Sequence, residues 1–137
     1  FYKCTNLTSA PVLPATTLAQ ECYSNMFTEC TNLTSAPELP ATKLAVHCYY
    51  AMFSNCPKLS SVTMLAPKSE IETKNNCVLN WLDNAGTDKS VTRTLKVQDA
   101  AAYKALENKT AYLPDIWKKG ATGTTVVDKN NAEINIE

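Results

Sequence analysis

The chain has 137 residues with 13 basic and 13 acidic side chains, a formal net charge of zero, so it lacks the charge excess that draws proteins to nucleic acid or anionic membranes. Its uninterrupted apolar runs are only a few residues long, which excludes a transmembrane helix, and no charged-then-apolar signal peptide opens it. The length fits one domain with a modest core and much surface for its volume.

In chain order, the first 52 residues are one unit written twice. Residues 1–26 and 27–52 agree at 18 of 26 positions without a gap. A period in this range marks stacked repeats, each burying its apolar face against the next. Phe1 aligns with Phe27, so the chain opens partway through a repeat and is expected to be a processed or truncated piece of a longer protein. Each unit starts with an extended segment, Leu7–Pro14 and Leu33–Pro40. Pro11 and Pro37 lack a backbone donor, so short, irregular strands are expected there. In the third copy Leu59, Val62 and Met64 have the spacing L-x-x-V-x-M of a leucine-rich-repeat strand. Thr8, Thr34 and Ser60 occupy equivalent places and are expected to point outward.

The second half of each unit keeps Leu18, Ala19, Cys22, Tyr23, Met26, Phe27 and Cys30, and changes positions 20, 21, 24, 25, 28 and 29. Pairs recurring every four residues predict two faces of an amphipathic α-helix of about three turns, N-capped by Thr16 or Thr17 after Pro14. The changed positions include Glu21/His47 and Ser24/Tyr50, and Val12 becomes Glu38 in the extended segment. The third copy starts at Phe53 with Cys56, Leu59 and Val62 in register. It drifts, takes up three extra residues before Cys77–Trp81, which answers Cys48–Met52, and fades near residue 85.

The pattern FxxCTxLTxAPxLPATxLAxxCYxxMF resembles the BspA-like leucine-rich repeats of Bacteroides and related gut bacteria. The resemblance covers about residues 1–85, with Asn80-Trp81-Leu82-Asp83 similar to the closing coil of such arrays. The third copy departs from it, having Leu65-Ala-Pro-Lys-Ser69 where L-P-A-T is expected. The resemblance implies a secreted or outer-surface protein used for adhesion or partner binding, with export signal and anchor upstream.

From Gly86 the repeat is lost. Val91–Val97 alternates as a strand, and Asp99 can cap a helix through Glu107. Leu113–Gly120 predicts one further helical turn, Thr124–Val127 a strand, Asp128–Ala132 a turn, and Ile134–Ile136 the ending. A stack of repeats needs a cap on its last apolar face. Trp81, Tyr103, Leu106, Ile116 and Trp117 are the residues expected to supply it. A separate functional domain is the competing reading.

The six cysteines fall into two columns, Cys4/Cys30/Cys56 and Cys22/Cys48/Cys77. Helices pack about 8–10 Å apart, beyond the reach of a disulfide, so buried free thiols are expected in place of a disulfide framework. His47-Cys48 hints at zinc, but the two fall on opposite faces and no CxxC exists, so neither metal nor cofactor is expected. A single histidine, three glycines and scattered carboxylates give no catalytic constellation. Asn6, Asn32 and Asn108 begin sequon-like triplets, taken here as turn chemistry.

The expected fold is an α/β leucine-rich-repeat solenoid, a short strand plus a helix per 26-residue coil, over residues 1–85, with a non-repeating C-terminal cap over 86–137. The expected function is a monomeric, non-catalytic cell-surface adhesion module that binds a host or bacterial surface protein or glycan, and not nucleic acid. Thr8, Thr34, Ser60, Glu38 and Tyr50 are the candidate contact residues. A spacer displaying an upstream module, or a fragment of a carbohydrate-active enzyme with two facing carboxylates, are the alternatives.

Overall fold

The repeats are joined by two backbone ladders, one on each side of the core. In the computed structural model, which describes residues 1–135, the first ladder is a four-stranded parallel sheet: β1 (Ser35–Leu39), β2 (Ser61–Met64), β3 (Arg93–Val97) and β4 (Thr124–Val127), paired in that order. The fold is small and mixed α/β. Copy one adds only an isolated bridge, Ser9 to Ser35. Ser35 pairs with Ser61 and Glu38 with Thr63, so β1 carries one residue more than β2 between the same rungs. That bulge holds Pro37, where a missing donor does least harm.

The second ladder replaces the helix expected over Leu18–Cys30, which does not form. The segment is a chain of β-turns. Cys22, Met26 and Cys30 donate their N–H to the carbonyls of Ala19, Tyr23 and Phe27, closing successive four-residue turns. The third residue of each turn has positive φ: Glu21, Asn25 and Glu29, then His47, Ala51 and Asn55, then Asn76, Asn80 and Asn84. Type II turns demand that conformation there. The N–H groups between these closures leave the segment: Glu21, Tyr23, Asn25, Phe27 and Glu29 donate to Val46, Cys48, Tyr50, Met52 and Ser54, all at 2.8–3.0 Å. The same pattern runs from His47–Asn55 to Asn75–Asp83. Repeats therefore lie a strand spacing of about 4.8 Å apart on both sides.

The conserved letters become columns between the ladders. Phe1, Phe27 and Phe53 stack with centroids 5.5 and 5.7 Å apart and nearly parallel rings, and Tyr23 stacks on Tyr49 at 6.1 Å. Leu33, Leu39, Met52, Leu59 and Met64 fill the interior. The drift in the third copy is a short helix, α1 (Lys68–Thr73). Glu70 of α1 accepts the Leu44 N–H at 2.9 Å, so the insertion is tied back to the repeat beneath it.

The sheet has no break at residue 86. β3 pairs with β2 along its length, and Thr94 donates to the Ser60 carbonyl where repeat-to-repeat bonds ran before. Asp99 caps α2 (Ala100–Glu107) through the Ala102 N–H, and α2 packs on α1. A single 3-10 turn follows at Asp115–Trp117. Trp81, Tyr103, Leu106 and Trp117 are fully buried, while Ile116 packs half-buried against the core. The two indoles tie the third repeat to the cap from either side, Trp81 Nε1 donating forward to the Tyr112 carbonyl at 2.6 Å and Trp117 Nε1 donating back to that of Ala85 at 2.9 Å. A hairpin turn at Asp128–Ala132 returns Glu133 to bridge Val127. Ile136 of the expected ending lies outside the described residues. No described helix is long and apolar enough to cross a membrane.

Left-handed φ costs a non-glycine residue roughly 1–2 kcal/mol, and asparagine bears it best. Replacing exposed Glu21 by Asn should raise stability by about 0.5–1 kcal/mol, and Asn25→Ala should lower it by about the same. Urea unfolding of both variants checks this; a helical segment would respond in the reverse order, since Ala and Glu are the better helix formers.

Candidate functional site

The outer face of the sheet is the largest regular surface that the repeats build. Alternation along β2 puts Ser61 and Thr63 outward and Val62 and Met64 inward. Pairing extends that outward row: Ser9, Ser35, Ser61, Thr94 and Thr125 stand on adjacent rungs. Five hydroxyls thus line up about 4.8 Å apart. Among the described residues none of these hydroxyls makes a side-chain hydrogen bond to another protein group. Beside them runs a second row, Glu38, Thr63, Lys96 and Val127, which carries one negative and one positive charge.

The expected contact row is displaced by one residue from this face. Ser60 has the phase of inward Val62, and a one-residue slip moves a side chain to the opposite face of a strand. Thr8 and Thr34 are exposed and Ser60 is half-buried. Their hydroxyls staple repeats together: Thr34 Oγ1 donates to the Thr8 carbonyl at 3.1 Å, and Ser60 Oγ to that of Thr34 at 2.8 Å. Asn32 does the same at the strand entrance, donating to the Thr5 carbonyl and accepting from Lys58. Glu38 is exposed on the outer face as a neighbour of Thr63. Tyr50 is half-buried on the turn side, away from the sheet, edge-on to His47 with centroids 5.6 Å apart. The five candidates therefore do not form one site.

The turn side carries a smaller polar cluster. Glu21 and His47, equivalent positions in successive repeats, lie with Oε1 and Nδ1 3.8 Å apart, and Ser24, Asn25 and Tyr50 line the same shallow depression. Near the cap, Asp83 and Asp115 line another. The Asp115 side chain is 88 % exposed and pairs with Lys118 at 3.0 Å. Among the described residues no group of three or more His, Cys, Asp or Glu side chains is placed to hold a metal ion.

All six cysteines are free, yet the reason expected from helix spacing does not apply, because the ladders bring the columns within strand distance. Burial is what sets the chemistry of the inner thiols. Desolvation pushes Cys48 and Cys56 up to about 12 and Cys77 up to about 11, so they stay protonated and inert. Cys56 Sγ also donates to the Phe27 carbonyl at 3.0 Å. Only Cys4 and Cys22 are exposed.

Native protein treated with a thiol-specific chromogen should therefore titrate two thiols quickly, and six once unfolded; more than two fast thiols would contradict the burial described. A raised thiol pKa means that the folded state holds its proton more tightly than the unfolded chain. Its stabilising contribution is complete below the ordinary value of 9.0 and is lost as pH climbs toward about 11–12. Melting temperature should here fall steeply above about pH 9, with the thiolate absorbance of Cys48, Cys56 and Cys77 appearing together with unfolding rather than before it.

No family model, no curated protein and no solved structure matches the chain.

Proposed function

We propose that this chain is a length of BspA-like leucine-rich-repeat solenoid acting as a non-catalytic adhesion module at the outer cell surface. In this reading it binds a glycan or protein along the outer face of the sheet. The observation that carries the proposal is the in-register row Ser9, Ser35, Ser61, Thr94 and Thr125. Hydroxyls without partners in the fold offer both donors and acceptors at a regular spacing. That arrangement suits a ligand that is itself extended and periodic, and the lack of net charge suits an uncharged one. The turn-chain that replaces the expected helix leaves this proposal intact, because it brings the repeats into the same parallel order. One observation favours the spacer reading: the hydroxyls of Thr34 and Ser60 are consumed in holding repeats together.

The two readings separate on immobilised protein exposed to mucin, matrix proteins and neutral polysaccharides. Saturable binding is expected, weakened about tenfold or more by the triple variant Ser61→Ala, Thr94→Ala, Thr125→Ala with unchanged circular dichroism. A spacer would show no saturable binding to any of them, and binding indifferent to the triple variant would remove the outer face from consideration.

A further inference from the structure

Arg93 opens β3 on the inward side and is 9 % exposed. Its Nε–H is shared between the Ile116 carbonyl and the Thr124 hydroxyl, both at 2.9 Å. Nη1 donates to the Gly86 carbonyl at 2.8 Å and Nη2 to that of Thr122 at 2.7 Å. A guanidinium carries five N–H groups. These bonds use the one on Nε and one on each terminal nitrogen, so one N–H on Nη1 and one on Nη2 are uncommitted among the described residues. Every partner is neutral, and none of the ion pairs among the described residues includes Arg93. A charge buried to this depth ordinarily has an opposite charge beside it.

Arg93 forms part of the wall of a surface cleft of about 460 Å³ whose rim carries Lys89, Ser90, Thr122 and Gly123. A Cβ at position 123 would stand 3.5 Å from Nη2, an ordinary contact distance, which puts that terminal nitrogen beside the Gly123 part of the cleft wall. The acid lining the cleft, Asp88, is already engaged: its Oδ1 accepts from the Ser90 N–H at 2.9 Å and the Ser90 hydroxyl at 2.7 Å. Asp88 keeps its negative charge, and with Arg93 and Lys89 the cleft carries one net positive charge in a chain that is neutral as a whole.

We infer that this cleft is a binding site for a single oxyanion group, a carboxylate, sulfate or phosphate, free or carried by a molecule other than the uncharged ligand of the outer face, with Arg93 donating from its terminal nitrogens and Lys89 supplying the second positive charge. A guanidinium is suited to this because its planar donors match the oxygens of such groups. The site is on different residues from the hydroxyl row, and the inference stands whether or not the outer face binds anything.

The test is a titration of isotopically labelled protein with sodium sulfate, sodium phosphate or sodium acetate against sodium chloride at matched ionic strength, following the Arg93 Nε–Hε resonance. At least one oxyanion should shift it saturably while chloride does not. In Lys89→Glu, at an exposed position outside sheet and core, the apparent Kd should rise tenfold or more with the rest of the spectrum unchanged. Sulfate and phosphate ahead of acetate would identify a tetrahedral group, and the reverse order a carboxylate. Shifts that match chloride for all three salts, or saturation untouched by Lys89→Glu, would overturn the inference.

Discussion

Everything in this protein depends on where alternate backbone N–H groups go in the turn-chain. In each four-residue turn one N–H closes the turn and the next leaves it for the neighbouring repeat. That division lets a segment with no regular helix or strand satisfy its donors and still hold a second segment in register. The cost is a left-handed residue every fourth position. Asparagine occupies five of the nine such places in the three copies, and glutamate, histidine or alanine the others. Because both ladders impose the same rise, a side chain at one position must meet its equivalent in the next repeat. Phenylalanine on phenylalanine and tyrosine on tyrosine follow from that rise.

Much of this was legible in the letters, and the errors have definite causes. The columns were readable because invariance between copies marks what stacks. The helix expected over Leu18–Cys30 came from spacing pairs every four residues, but an α-helix has 3.6 residues per turn. A stripe kept strictly every fourth residue drifts by about 40° per step on a helix, whereas it stays in line on a chain of four-residue turns. The strictness of the period was the signal. In the C-terminal third the elements were set by local chemistry: the Asp99 cap, the alternation through Arg93–Val97 and the turn after Val127. Helix α1 was not visible, having no side-chain cap and only Ile71 buried.

The surface was less legible than the core. Thr8, Thr34 and Ser60 stood out as a row, and a row they are, but one residue out of phase with the outer face. The serines that follow them were equally invariant, and only the inward phase of Val62 and Met64 separates the two. Arg93 gave one cue, its place in Thr92-Arg93-Thr94-Leu95, where alternation puts arginine on the side of leucine. A cation at an inward phase is a reason to look for what surrounds it.

The turn ladder also has a direction. From Glu21 to Cys30 every N–H is spent, either within its turn or on the second repeat, while the carbonyls of Gln20, Cys22, Ser24 and Met26 accept no backbone bond among the described residues. That side of the first repeat offers acceptors alone. Two molecules meeting there face to face would set carbonyl against carbonyl, with no proton between them. A strand edge ordinarily presents donors and acceptors together and so invites its own kind. This one is complementary only to a surface that offers donors, which is what the donating side of another repeat of the same kind presents.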